Sequence, residues 1–198
     1  LQYAKDYSPL VTGVAILPLP IGMLVVSRRS ISLGVRVGTE RVVTTGMLLV
    51  TAGLVGLSFA TASTPYLPYA LALLAVSTGM GLSVPSLSTG IMRALPPSRA
   101  GMGSGLNSAA REIGAALGIA VVGTVLTSRF DAALPSSVGR HGSTAEALRA
   151  ASALGEDVHA QAVRAFTDGM GAGLRVIAAV LMVATMATGR RRAGRSQE

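Results

Sequence analysis

The stretch GSGLNSAAREIGAALGIAVVGTVL, residues 103–126, decides the fold class. A bilayer core about 30 Å thick needs about 20 helical residues, each of which rises about 1.5 Å. The second half of the stretch contains only apolar and small residues, as such a helix requires. Arg111 and Glu112 lie directly before it, so two opposite charges border a lipid-soluble segment. The stretch predicts a transmembrane helix with a specialised charged turn.

The composition of the whole chain also indicates a membrane protein with the lipid bilayer as its partner. Only 13% of the 198 residues are charged and 50% are hydrophobic, whereas about a quarter of the residues of a soluble domain are charged. The net charge of +8 comes from arginines scattered between apolar runs. A nucleic-acid-binding surface would need clustered basic residues with aromatic neighbours. We therefore predict no nucleic-acid partner.

The residue types argue against an enzyme. The chain contains no cysteine, which excludes disulfides, thiol catalysis and cysteine-ligated metal sites. The sequence shows no pairing of a nucleophile with a base, no phosphate-binding loop and no cluster with metal-ligand spacing. We predict no catalytic residue, no metal and no bound cofactor.

Five segments are long and apolar enough to span a bilayer. They are predicted at residues 7–27, 42–60, 66–92, 100–128 and 165–189. Residues 129–164 then form a long loop, and residues 190–198 form a tail. The prediction is an all-α, polytopic membrane protein in which residues 1–198 form part of one transmembrane bundle.

The distribution of arginines predicts the orientation of the spans. Connections 28–41 and 93–99 and the tail are rich in arginine, whereas connection 61–65 is uncharged and the arginines of loop 129–164 are offset by acidic residues. Short cytoplasmic connections carry an excess of basic residues. The C-terminus is therefore predicted to be cytoplasmic, and loop 129–164 to lie outside.

The long outer loop contains one helix signal. Ser143 and Glu146 have the spacing of a capping box, and helix-forming residues follow them as far as Gly155. These residues favour an amphipathic helix that lies on the outer surface. A solvated spacer without regular structure is the alternative.

The charged pair has two interpretations. Arg111 lies 17 residues before Ser128, or about 25 Å along a helix, which places it near the cytoplasmic boundary. A snorkelling arginine at that depth is one interpretation. Glu112 points about 100° away from Arg111, so the two residues do not satisfy each other on one face. We favour the other interpretation, a role in lining a cavity or in gating between helices.

Small residues and a proline indicate packing and bending. Gly101 and Gly105, and then Gly114 and Gly118, recur at the four-residue spacing that lets helices approach closely in lipid. Pro85 lies inside the third span, where it removes a helical hydrogen bond. It predicts a kink, which is either a bending point of a moving helix or a static feature of packing.

Three stretches resemble the major facilitator superfamily, specifically the fourteen-helix drug:proton antiporters of the EmrB/QacA type. They are LQYAKDYSPLVTGVAILPLPIGML at 1–24, RALPPSRAGMGSGLNSAAREIGAALGIAVVGTVL at 93–126 and AFTDGMGAGLRVIAA at 165–179. The matching positions are Tyr7, Ser8, Pro9, Leu10, Gly13, Leu17, Pro18, Pro96, Ala100, Gly101, Ser104, Gly105, Asn107, Arg111, Gly114 and Gly118. The resemblance runs in order along essentially the whole chain.

The resemblance implies that these are the last five of fourteen helices. The N-terminal half, which carries the coupling carboxylate in this family, would be a missing partner. The coupling ion would be the proton, driven by its gradient, and the location would be the plasma membrane. A cytoplasmic gating motif of the family falls at 31–41, where Arg36, Gly38 and Arg41 match it but Ile31, Ser32 and Val35 depart from it.

The resemblance therefore implies the C-terminal part of a proton-coupled multidrug or metabolite efflux antiporter, whose substrate would be small and hydrophobic or amphipathic. The alternative is a truncated fragment that does not transport, or a membrane subunit that acts only through a partner. The candidate cavity-lining residues are Ser83, Ser86, Asn107, Arg111 and Glu112. The candidate gating residues are Pro85, Arg36, Gly38 and Arg41.

Overall fold

The computed structural model describes residues 8–61, 63–139 and 142–195, with side chains up to residue 187. All regular secondary structure in these ranges is helical. The helices are α1 (Pro9–Ile16), α2 (Pro18–Val37), α3 (Thr39–Ser58), α4 (Tyr66–Arg93), α5 (Ala100–Ala133), α6 (Thr144–Leu154) and α7 (Glu156–Arg195). A 3-10 turn, Pro97–Arg99, leads into α5.

Five helical segments of the described chain are long and apolar enough to cross a membrane. They are Pro9–Val37, Thr39–Ser58, Tyr66–Arg93, Pro97–Ala133 and Glu156–Ala187. The predicted all-α, polytopic fold with five spans is confirmed. Tyr7, where the first span was predicted to begin, and residues 196–198 of the tail lie outside the described residues.

The helices extend past the predicted spans. Residues 28–37, predicted as part of a connection, continue α2, and the chain reverses at Gly38, whose φ is +96°. That backbone conformation favours glycine. Helix α5 has 34 residues, or about 51 Å, so it is longer than the bilayer core is thick. Hydropathy marks the residues that lie in lipid, whereas helical hydrogen bonding can continue into polar residues beyond the bilayer core. The helices are therefore longer than the predicted spans.

The loop that follows α5 contains the helix that its capping box predicts. Ser143 Oγ accepts a hydrogen bond from the backbone N–H of Glu146 at 3.3 Å, and α6 follows. Gly155, with a φ of +126°, separates α6 from α7. The helix is confirmed, and the unstructured spacer is wrong.

The apolar face of α6 packs on protein. Its buried residues join the end of α5 and the beginning of α7 in one cluster of Phe130, Val138, Ala147, Leu148, Ala151, Ala162, Val163 and Ala165. Phe130 is only 1% exposed. The loop and the adjoining helix ends therefore form a small core of their own, the loop core, because packing these side chains against α5 and α7 removes their apolar surface from water.

Helix α4 packs most closely on α3 and on α2. A Cβ placed on Gly53 of α3 would lie 2.6 Å from Val76 Cγ2 and 2.7 Å from the Ala72 carbonyl oxygen. Gly46 of α3 and Gly79 of α4 likewise leave no room for a side chain. Small residues at these crossings let the backbones meet, as is typical of helices in lipid.

Candidate functional site

Helix α5 presents two kinds of surface. Met102, Leu106, Ile113 and Leu117 are at least 60% exposed, and at about 100° per residue they share one side of the helix. The buried Gly103 and the half-buried Asn107 lie on another side. We assign the first side to lipid and the second to contact with protein.

Among the described residues, α5 contacts its neighbours near its beginning and in its second half. Near the beginning, a Cβ on Gly103 would lie 3.1 Å from Met92 Cε, and Asn107 Nδ2 donates to Ser88 Oγ at 3.2 Å. In the second half, Gly169 and Gly173 of α7 pack against Leu126 and Val122. Residues 108–117, between these contacts, are all exposed. The middle of α5 therefore stands apart from the helices described here.

Arg111 lies in this uncovered middle. It follows Asn107 by four residues and precedes Gly118 by seven, which puts it on the protein-contacting side of α5. The side chain is exposed, and within residues 8–187, for which side chains are described, it has no hydrogen bond or ion pair. A guanidinium in that position is available to a further helix, to water or to a ligand.

Glu112 lies on a different side of α5. It shares that side with Gly105 and Ser108, all three being exposed, and nothing described lies within 4 Å of a Cβ on Gly105. Small and polar residues distinguish this surface from the lipid-facing side. The two charges therefore serve different environments, as their 100° separation predicts.

Ser83 and Ser86 lie inside the helix packing. Ser83 is 7% exposed, and its Oγ donates to the Val43 carbonyl of α3 at 3.4 Å. Ser86 is 2% exposed and its Oγ has no partner among the described residues. The structure therefore buries these two serines between helices, whereas Arg111 and Glu112 are exposed. A role in lining a cavity stays a prediction for all five candidate residues.

The four glycines predicted to pack α5 against another helix have no close neighbour among the described residues. No described atom lies within 4 Å of a Cβ placed on Gly101, Gly105, Gly114 or Gly118. Gly103, which the four-residue rows omit, makes the close contact instead. Packing through the four glycines stays a prediction that needs a helix beyond those described.

The predicted gating residues are spread over three helices. Helix α4 continues through Pro85 from Tyr66 to Arg93, and Gly38 forms the turn between α2 and α3. Arg36 and Arg41 are exposed on either side of that turn. Their roles in gating stay predictions. Among the described residues, no group of His, Asp and Glu could hold a metal ion.

One polar contact was not anticipated from the sequence. Tyr66 Oη donates to the Ala15 carbonyl oxygen at 3.2 Å and links α4 to α1. The sequence carries no local signal for it, because the missing N–H groups of Pro18 and Pro20 would serve the carbonyl groups of Val14 and Ile16 and not that of Ala15.

Comparisons with known proteins agree with this architecture. The family model of the Major Facilitator Superfamily matches residues 1–119. The multidrug resistance protein Stp of Mycobacterium tuberculosis is 34% identical over 71% of this chain and 28% of Stp. The puromycin resistance protein pur8 of Streptomyces alboniger is 34% identical over 64% of this chain and 26% of pur8.

A longer match covers nearly all of the chain. The multidrug efflux pump LfrA of Mycolicibacterium smegmatis is 24% identical over 94% of this chain and 39% of LfrA. The chain thus spans between about a quarter and two fifths of the length of these relatives.

Proposed function

The chain belongs to the major facilitator superfamily, and on this basis we propose that it is the C-terminal part of a proton-coupled efflux antiporter of the fourteen-helix EmrB/QacA type. The observation that carries the proposal is the match to several resistance and efflux proteins over most of this chain. Five membrane-spanning helices fit one part of such a transporter.

The complete transporter would pair these helices with an N-terminal half in the plasma membrane. Residues 1–198 would form part of its C-terminal bundle, with the tail in the cytoplasm. The coupling ion would be the proton, and the substrate would be a small hydrophobic or amphipathic molecule. The named relatives support this substrate class, since one is called a puromycin resistance protein and others multidrug proteins.

The exposed middle of α5, which carries Arg111 and Glu112 on two of its sides, is our candidate for the part of the chain that faces the transport path. Arg111 and Glu112 are charged residues within a predicted span and have no described partner. Intramembrane charges that are not paired commonly face an aqueous path or the interior of a larger bundle. In the complete transporter, an aqueous path and a larger bundle would both involve helices that lie outside this chain.

Glu112→Gln tests this assignment in the complete transporter. It keeps the shape of the side chain and removes its charge and proton-binding ability. We expect efflux measured in cells to fall at least tenfold, while the amount of transporter in the membrane stays the same. The matched control is Glu156→Gln, which makes the same change in an exposed carboxylate at the beginning of α7, outside the predicted span 165–189, and should change efflux less than twofold.

Two results would contradict the assignment. Equal loss of efflux and membrane abundance in Glu112→Gln would give Glu112 a role in folding. A complete transporter that exports no compound of this class, although it inserts in the membrane, would favour a subunit that acts only through a partner.

A further inference from the structure

The first span is interrupted at Leu17. Helix α1 ends at Ile16 and α2 begins at Pro18. Pro18 and Pro20 have no N–H, so the carbonyl groups of Val14 and Ile16 lose their helical donors. Leu17 N–H compensates one of them by donating to the Val14 oxygen at 3.1 Å. The break is therefore built into the sequence and is only partly repaired by the backbone.

Tyr66 ties this break to α4. Its phenolic Oη donates to the Ala15 carbonyl oxygen at 3.2 Å, across 51 residues of sequence. The prolines do not remove the helical donor to the Ala15 oxygen, but a carbonyl oxygen has two lone pairs and can accept this bond as well. The hydrogen bond thus stabilises the position of α1 against α4.

Little else in the described part of this chain holds α1 in place. Ala15 is its one buried residue, and Leu10 and Val14 are 79% and 58% exposed. A Cβ on Gly13 would have nothing described within 4 Å. A segment with few buried contacts and one long-range hydrogen bond opens at low cost in free energy.

We propose that Pro9–Ile16 is a gate segment that pivots at Leu17–Pro18, and that Tyr66 is the positioning residue that holds it closed. This inference rests on the proposed transport function. Its location follows from the predicted orientation, which puts the beginning of the first span at the outer face. Opening of the segment would then widen the outer end of the bundle for the departing substrate.

The neighbouring Tyr69 provides a matched control. It lies one turn further along α4, is partly buried, and makes no hydrogen bond in the described part of the chain. Tyr66→Phe and Tyr69→Phe remove the same hydroxyl group, but only the first removes the bond to α1. A general effect of tyrosines at the membrane interface would appear in both variants.

The absence of cysteine from this chain allows direct measurement of opening. Ala15→Cys would place a thiol at the buried contact with α4, in a complete transporter freed of any cysteines outside this chain. We expect a membrane-impermeant maleimide, added from outside, to react about fivefold faster when Tyr66→Phe is also present, as one net hydrogen bond implies. Tyr69→Phe should leave the rate unchanged.

A second variant moves the rate in the opposite direction. Pro18→Ala restores an N–H at the break and favours a continuous helix, so the thiol should react more slowly. An unchanged rate in Tyr66→Phe, or an equal increase in Tyr69→Phe, would overturn the proposed gate.

The labelling also separates this inference from the proposed function. The reaction needs neither substrate nor a proton gradient. If the wild-type transporter exports nothing, the proposed function fails, while the labelling rates still decide whether Tyr66 holds the segment. If Tyr66→Phe speeds labelling and also alters the rate of efflux, both proposals are supported.

Discussion

Ser83 and Ser86, which lie one turn apart on α4, should respond in opposite ways to loss of the hydroxyl group. Ser83→Ala removes the hydrogen bond to the Val43 carbonyl and should lower the free energy of unfolding by about 1 kcal/mol. Ser86→Ala removes a buried hydroxyl group that has no described partner. Because burying an unpaired hydroxyl is costly, this variant should be as stable as wild type or more stable. Thermal unfolding in detergent measures both effects.

The same pair tests the predicted role in lining a cavity. Stability that is unchanged or raised, together with a loss of efflux in Ser86→Ala, would show that the hydroxyl group meets substrate or water in another state of the transporter. Equal destabilisation by both substitutions would contradict the packing described for α4.

Some glycines of this chain pack against a neighbouring helix of the same chain, and others have no described neighbour. Gly53→Ala would bring Cβ to 2.6 Å from Val76 Cγ2, and overpacking of this kind costs about 1–3 kcal/mol. Gly118→Ala meets no described atom within 4 Å. We expect the first variant to unfold at a lower temperature and the second to match wild type in stability.

Measuring efflux by the complete transporter gives a second test of the Gly118→Ala variant. If α5 packs through its glycines on a helix outside this chain, the variant should lose efflux without losing membrane abundance. Wild-type efflux would leave Gly118 without a role in packing.

At the scale of one element, α6 should depend on its N-cap. Ser143 Oγ accepts from the Glu146 N–H, and loss of such a cap costs about 1 kcal/mol. Ser143→Ala should therefore weaken the loop core without affecting the spans. Hydrogen exchange should be faster in α6 and unchanged in α3, and equal changes in both helices would contradict an independent loop core.

The ends of the elements show what sequence patterns can predict. The capping box of α6 was recognisable because its signal lies within four residues, and the five spans were recognisable because lipid imposes a minimum apolar length. The end of α2 was not, because residues 28–37 are polar enough for a connection and still form helix as far as Gly38. Local composition does not distinguish a helix that leaves the membrane from a loop.

At the scale of the whole molecule, the candidate site also shows that local sequence predicts only part of the structure. Arg111 and Glu112 were identifiable because charges are rare in a span, and their separation followed from helix geometry. Ser83 and Ser86 were selected as polar residues of α4, but the rotation of α4 turns them toward α3 and α2. Rotation depends on which helices pack together, and that information is not local in sequence. The bond between Tyr66 and Ala15 escaped prediction for the same reason.

At the scale of the whole molecule, the predicted orientation of the chain in the membrane can be tested directly. Val35 and Ser152 are both exposed, near the turn at Gly38 and on α6, respectively. An odd number of spans, α3, α4 and α5, separates them, so cysteines at the two positions should react from opposite sides. The excess of arginine around Gly38 predicts that its side is cytoplasmic. An impermeant maleimide should therefore label Ser152→Cys in intact cells and Val35→Cys only in inverted vesicles. Labelling of both from one side would mean that one of the three helices does not cross the bilayer, and labelling with the sides exchanged would refute the orientation while keeping the five spans.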